Sequence, residues 1–186
     1  SGVFMESSKT KQVGSFTNSL FLNNTNKKDP DYPCGTLDPK HKTVCYRYIG
    51  SSSVLAQGGT NAEAFKRCLS VDSQYKQTCF WGIGSNTPHP GKAMSEIASD
   101  CLTGLKIDPQ AYPQCISGAI SFISQLNTGD PTILALFCGY LEKDYRNLCY
   151  KESGATIADW STSPEEAKKK CLVFNDPQAI PLCQAR

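Results

Sequence analysis

Apolar residues in this chain recur at helical spacing, and the recurrences come as pairs of segments joined by short turns. Ala64, Phe65 and Cys68 make one stripe, while Glu63, Lys66 and Arg67 fall on the opposite face. Thr60 and Glu63 form a capping box ahead of them, which predicts a helix over about 61–70. Its partner spans 73–84. Met94, Ile97, Ala98 and Cys101 predict a helix over 92–104. Ile116, Ile120, Ile123 and Leu126 predict its partner over 109–126, with Pro113 near the start. The stretch PTILALFCGYL, capped by Asp130, is apolar nearly all round, so a helix enclosed by neighbours is expected there, followed by one over 143–158. An earlier helix, 41–55, is broken at Gln57-Gly58-Gly59, and the last pair comprises 164–174 and PQAIPLCQAR. Residues 1–33 lack the pattern and read as a loosely structured arm with one short helix over 13–22, docked by Val13, Phe16, Leu20, Phe21 and Leu22.

The cysteines turn this series into a repeat. Leading members Cys34, Cys68, Cys101, Cys138 and Cys171 stand 33 to 37 residues apart, and each is followed by Cys45, Cys79, Cys115, Cys149 or Cys183. A period near 34 belongs to two-helix solenoid units, which contact only their neighbours. Repeats are expected at about 34–58, 59–90, 91–127, 128–160 and 161–186, the first a half unit. An Asp follows each leading cysteine (Asp38, Asp72, Asp108, Asp144, Asp176), three times before a proline, which suits the start of a second helix. Gly50, Gly84 and Gly154 each lie five residues after a second cysteine, and Gly118 lies three after. A glycine inside a helix costs about 1 kcal/mol against alanine, so each should have a packing reason, such as close approach of a neighbouring helix.

Ten cysteines in five couples, with no Cys-x-x-Cys and only two histidines, leave little supply for metal sites. Of about 945 possible pairings, the recurrent spacing favours the bridges within repeats: 34–45, 68–79, 101–115, 138–149 and 171–183. Packed antiparallel helices bring such positions within disulfide reach. Five structural disulfides place the chain outside the cytosol: secreted, periplasmic or on a cell surface. No apolar run reaches membrane-spanning length, so no membrane insertion is expected. The chain begins at Ser1 without a signal-peptide pattern, and an export signal or anchor is expected upstream. Asn23-Asn24-Thr25 is a glycosylation sequon. A net charge of +2 from 19 basic and 17 acidic residues argues against a nucleic-acid partner.

The chemistry of an enzyme is hard to place. His41 sits where other repeats have Tyr75 and Tyr145, and His89 lies between prolines; packing and solvation account for them better than acid–base work. Glu165-Glu166 and the Glu142/Asp144 pair fit helix N-termini, where negative charge is favourable. Tyr46, Phe80 and Tyr150 each follow a second cysteine and read as core between repeats rather than a binding ladder. Trp81 and Trp160 break the repeat pattern and are candidates for binding, together with the charged outward face of the first helices: Glu63, Lys66, Lys92 and Glu96.

The segments Cys45-Tyr46-Arg47-Tyr48-Ile49-Gly50 and Cys79-Phe80-Trp81-Gly82-Ile83-Gly84, set in paired helices of this period, resemble the second helix of Sel1-like, tetratricopeptide-type repeats, above all their secreted cysteine-rich bacterial members. The resemblance implies an exported scaffold that binds proteins or peptides, with no catalytic residues and no cofactor. The sequence therefore predicts an all-α solenoid of about four and a half units, acting as an interaction module for a protein, a peptide or a surface glycan. A secreted hydrolase acting on cell-wall or extracellular material and a structural cell-surface component are the alternatives.

Overall fold

The structure, a computed structural model, describes residues 31–185. The predicted helix over 13–22 and the sequon at Asn23 lie outside them. The described residues form nine α-helices and no strand. They are α1 (Pro39–Ser53), α2 (Asn61–Leu69), α3 (Lys76–Asn86), α4 (Met94–Leu105), α5 (Ala111–Leu126), α6 (Pro131–Gly139), α7 (Lys143–Asp159), α8 (Pro164–Lys170) and α9 (Ala179–Gln184). Short 3₁₀ turns at Cys34–Thr36, Leu55–Gln57, Ser73–Tyr75 and Cys171–Val173 complete them. In the first unit the turn at Cys34–Thr36 stands in place of a first helix, as the prolines before Cys34 require.

Local chemistry sets the boundaries. The Asp38 carboxylate accepts the Lys40 N–H at 3.1 Å, and Pro39 supplies the first helical residue, so α1 starts two residues earlier than its apolar pattern predicts. Both halves of the Thr60–Glu63 capping box form: Glu63 N–H donates to Thr60 Oγ1 at 3.3 Å, and Thr60 N–H donates to Glu63 Oε2 at 2.7 Å. α4 begins at Met94, which leaves Lys92 in the preceding loop, and α8 ends at Lys170.

Three predicted caps are displaced: in the third and fifth units the helix is capped at Gln110 and Gln178, two residues after Asp108 and Asp176. The fourth second helix is capped at Glu142, and Asp144 lies inside its first turn. With that correction a constant emerges. The turn residues Asp38, Asp72, Asp108, Glu142 and Asp176 each stand seven residues before the second cysteine of their unit, about two helical turns. All variation in cysteine spacing falls between the first cysteine and this turn residue. The apolar residue immediately before it, in the order Leu37, Val71, Ile107 and Leu141, packs into or against the core.

The second helices α1, α3, α5, α7 and α9 pack on one another in chain order. The first helices α2, α4 and α6 do the same, continued by the 3₁₀ turn at Cys171–Val173, and each first helix also packs on its own partner. The junctions between second helices are the tightest. A Cβ on Gly84 would lie 2.0 Å from the Cys115 carbonyl oxygen, and one on Gly118 2.0 Å from that of Trp81, so α3 and α5 meet backbone to backbone in both directions. Gly154 meets the Cys183 carbonyl of α9 in the same way. These are the close approaches that glycine within a helix predicts. Gly50 departs from them: its neighbours are the Cys68 sulfur and the Ile83 side chain.

All ten cysteines are bridged within their own units, with Cα separations from 5.4 to 5.8 Å. Nine of the ten sulfurs' residues are at most 3 % exposed, so the bridges belong to the core between the two layers. The expectation that α6 is enclosed on all sides is overturned. Leu134, Phe137 and Cys138 are buried, but Leu136 is 50 % and Tyr140 53 % exposed. The neighbours of α6 are α4, α5, α7 and the 171–173 turn, and they cover only part of its circumference.

Candidate functional site

Most residues singled out in the sequence prove to be committed to local structure. Glu63 serves the start of α2, and Glu96 does the same for α4 by accepting the Ala93 N–H at 2.9 Å. Lys92 bridges to Asp100 and donates to the Thr87 carbonyl, tying the 85–93 loop to α4. Trp160 is half-buried against the core, its carbonyl accepting from Lys170. Trp81 is covered by the Arg47 guanidinium of the preceding unit, 4.4 Å above its ring, a cation–π contact in which the Arg47 Nε is buried without a hydrogen-bond partner. Lys66 is exposed on α2. His41 and His89 are both exposed. The structure places Glu63 near Lys66 on α2.

It also brings together tyrosines and the turn of the following unit. Tyr46 is buried, stacks on Tyr75 at 4.2 Å and donates its hydroxyl to Asp31 at 2.9 Å. Tyr112 meets Tyr145 edge-on, and its hydroxyl accepts the Glu142 N–H at 3.3 Å. Tyr150 meets Phe174 edge-on and donates to Asp176 at 3.0 Å. Burial raises all three phenols above their ordinary range; for Tyr46 and Tyr150 the bond to a carboxylate raises them further. Tyr46, Phe80 and Tyr150 are thus core residues, as their shared phase predicts.

The last of these junctions opens into a cavity of about 320 Å³. Ala135 and Gly139 of α6 form one wall, Arg146 and Tyr150 of α7 the floor, and Phe174, Asn175, Asp176 and Pro177 the rim. Arg146 is anchored through Nε, which donates to the Leu141 carbonyl at 3.0 Å. Its charge acts on both Tyr112 and Tyr150, and its terminal nitrogens have no hydrogen-bond partner among the described residues. The Asp176 carboxylate is already engaged: Oδ2 accepts from Tyr150 and Oδ1 from the Gln178 N–H at 2.9 Å. The site therefore offers unmatched donors and an apolar wall. Leu136 and Tyr140, next to the lining residues of α6, and Leu172, just before the rim, are each half exposed or more.

Comparison with protein-family models, with curated proteins and with solved structures gave no match to this chain. Among the described residues there is no group of three or more histidine, cysteine or acidic side chains that could hold a metal ion. None of the described helices is long and apolar enough to cross a membrane. Arg146 and Asp176 escaped the sequence reading because neither breaks a pattern: Arg146 looks like a solvated helix residue and Asp176 like a cap. Turn length does not single them out either: the stretch from Cys171 to Asp176 is longer than that from Cys68 to Asp72, but that from Cys101 to Asp108 is longer still.

Proposed function

We propose that this chain is an exported interaction scaffold, a short solenoid of disulfide-stapled two-helix units of the Sel1-like or tetratricopeptide type, which binds a protein or peptide along its first helices. The ordered packing of first helices on first helices and second on second supports the architecture. Five bridges suit an oxidising, extracytoplasmic setting. The observation that carries the binding reading is the cavity beside α6; Leu136, Tyr140 and Leu172, sequence neighbours of its lining residues, are each half exposed or more. A concave site and large exposed apolar side chains are both features that gain from being covered. The lining is mixed: Ala135, Gly139, Phe174 and Pro177 are apolar, and Arg146, Tyr150, Asn175 and Asp176 carry hydrogen-bonding groups.

This reading keeps the binding surface on the first helices but moves it from the second and third units, where Glu63, Lys66, Lys92 and Glu96 lie, to the fourth and fifth. The test is affinity capture from the native extracellular milieu with the oxidised protein as bait, set against the Leu136→Asp/Tyr140→Asp variant. A partner retained by the parent and lost by the variant, with circular dichroism unchanged, is the expected result. Equal retention by both proteins would place the binding surface elsewhere.

A further inference from the structure

The junction of the first and second units carries, in register, the counterparts of the cavity residues of α6 and α7. Asp31 and Ala135 each stand three residues before a first cysteine, and Gly35 and Gly139 one residue after it. Lys42 and Arg146 lie four residues after the turn residue, Tyr46 and Tyr150 eight after it. Asp72 and Asp176 are the turn residues of the next unit. In the first junction the Asp31 carboxylate enters this frame: Oδ1 accepts the Tyr46 hydroxyl and the Asp72 N–H, both at 2.9 Å. The fit is close, since a Cβ on Gly35 would sit 3.1 Å from the Asp31 Cβ.

In the fourth junction the carboxylate is missing. Ala135 has no acceptor to offer, and a Cβ on Gly139 would meet nothing within 4 Å. Tyr150 has turned to Asp176, the Asp176 N–H has no acceptor among the described residues, and the Arg146 terminal nitrogens have none. We propose that the cavity between α6 and the 174–177 turn is a receptor slot for an aspartate or glutamate side chain of a peptide partner, which takes the place that Asp31 fills internally in the first junction. The unmatched groups are donors, and both oxygens of the one acidic side chain present already accept hydrogen bonds. A carboxylate on Arg146 would form a charge-assisted pair. Phosphate fits less well, because a dianion would set two negative charges beside Asp176 against the one cation of the lining, Arg146. The volume of about 320 Å³ also admits the methylene groups and backbone that carry the carboxylate, against Ala135, Phe174 and Pro177.

The proposal names the partner chemistry of the scaffold reading and rests on it. It is tested on the oxidised protein with a blocked tetrapeptide of the sequence 30–33, whose one aspartate is the residue that fills the first junction, and with its Asp→Asn counterpart. Chemical-shift titration should show saturable binding at millimolar concentration or below, centred on Ala135, Gly139 and the Arg146 side chain. The Asn peptide should bind at least about tenfold more weakly, the loss of a charge-assisted hydrogen bond. Ala135→Asp installs the carboxylate in the chain itself, so it should abolish peptide binding and leave the melting temperature equal or higher. Arg146→Gln should also abolish binding and provides the reading if Ala135→Asp does not fold. Absence of saturable shifts, equal affinity for the two peptides, or undiminished binding to either folded variant would overturn the slot. Capture sensitive to Leu136→Asp/Tyr140→Asp without peptide binding would overturn the slot alone. Peptide binding without any captured partner would overturn the scaffold reading and leave the slot standing.

Discussion

Two glycines only five residues from a cysteine or less behave in opposite ways. A methyl group on Gly84 collides with the backbone of Cys115, which α5 cannot move without breaking its own packing. Gly84→Ala should therefore cost about 3 kcal/mol or more. Gly139 has open space around it and an ordinary helical backbone, so Gly139→Ala should be neutral or stabilise by about 0.5 kcal/mol. Urea titration of both variants decides the matter; a similar effect from each would refute the backbone contact between α3 and α5. Glu166 gives a pH signature at the same scale. Its carboxylate is held down to about 2, from an ordinary 4.5, first by the bond from Lys170 and then by the side chain and N–H of Thr162. A carboxyl whose value is lower in the folded state contributes stability above its unfolded value and loses it as pH falls toward the folded one. The urea midpoint of the parent should exceed that of Glu166→Gln near neutral pH, and the gap should close between pH 4.5 and about 2.

At the scale of elements, the capping box is the clearest case of a sequence signal realised in the structure. Thr60→Ala removes the acceptor for Glu63 N–H, and thermal unfolding should show a loss of about 1 kcal/mol. An unchanged melting temperature would show that α2 is held by packing alone. Helices, pairing and bridges were legible because each rests on a short-range pattern: apolar spacing, a cap, a cysteine couple. Two features were not. Glu142 was hidden behind Asp144 because the residue type, rather than the distance to Cys149, was used to align the turns. The exposure of Leu136 and Tyr140 depends on how much of α6 its neighbours cover, which composition does not encode. The slot proposed beside α6 has the same origin: residue 135 is alanine where residue 31 is aspartate, a contrast with meaning only once the two junctions are set in register.

For the whole molecule, the five bridges lie in one continuous core of buried residues. Replacing Cys68 and Cys79 together by alanine should cost about 3 kcal/mol, and hydrogen exchange should rise first in α2 and α3. Exchange rising uniformly over the chain would mean that the layers unfold as one body. The fixed distance from turn residue to second cysteine has a wider consequence. Extra residues, three in the third unit and one in the fifth, lie inside the covalent ring, ahead of the turn residue, where the bridge pins both ends. Closing a somewhat longer ring costs little, because the entropy grows only with the logarithm of its length. Register along the second helices and length between the helices are thus written in separate places. A foreign segment spliced ahead of Asp72 or Glu142 can enlarge its ring while every helix keeps its neighbours.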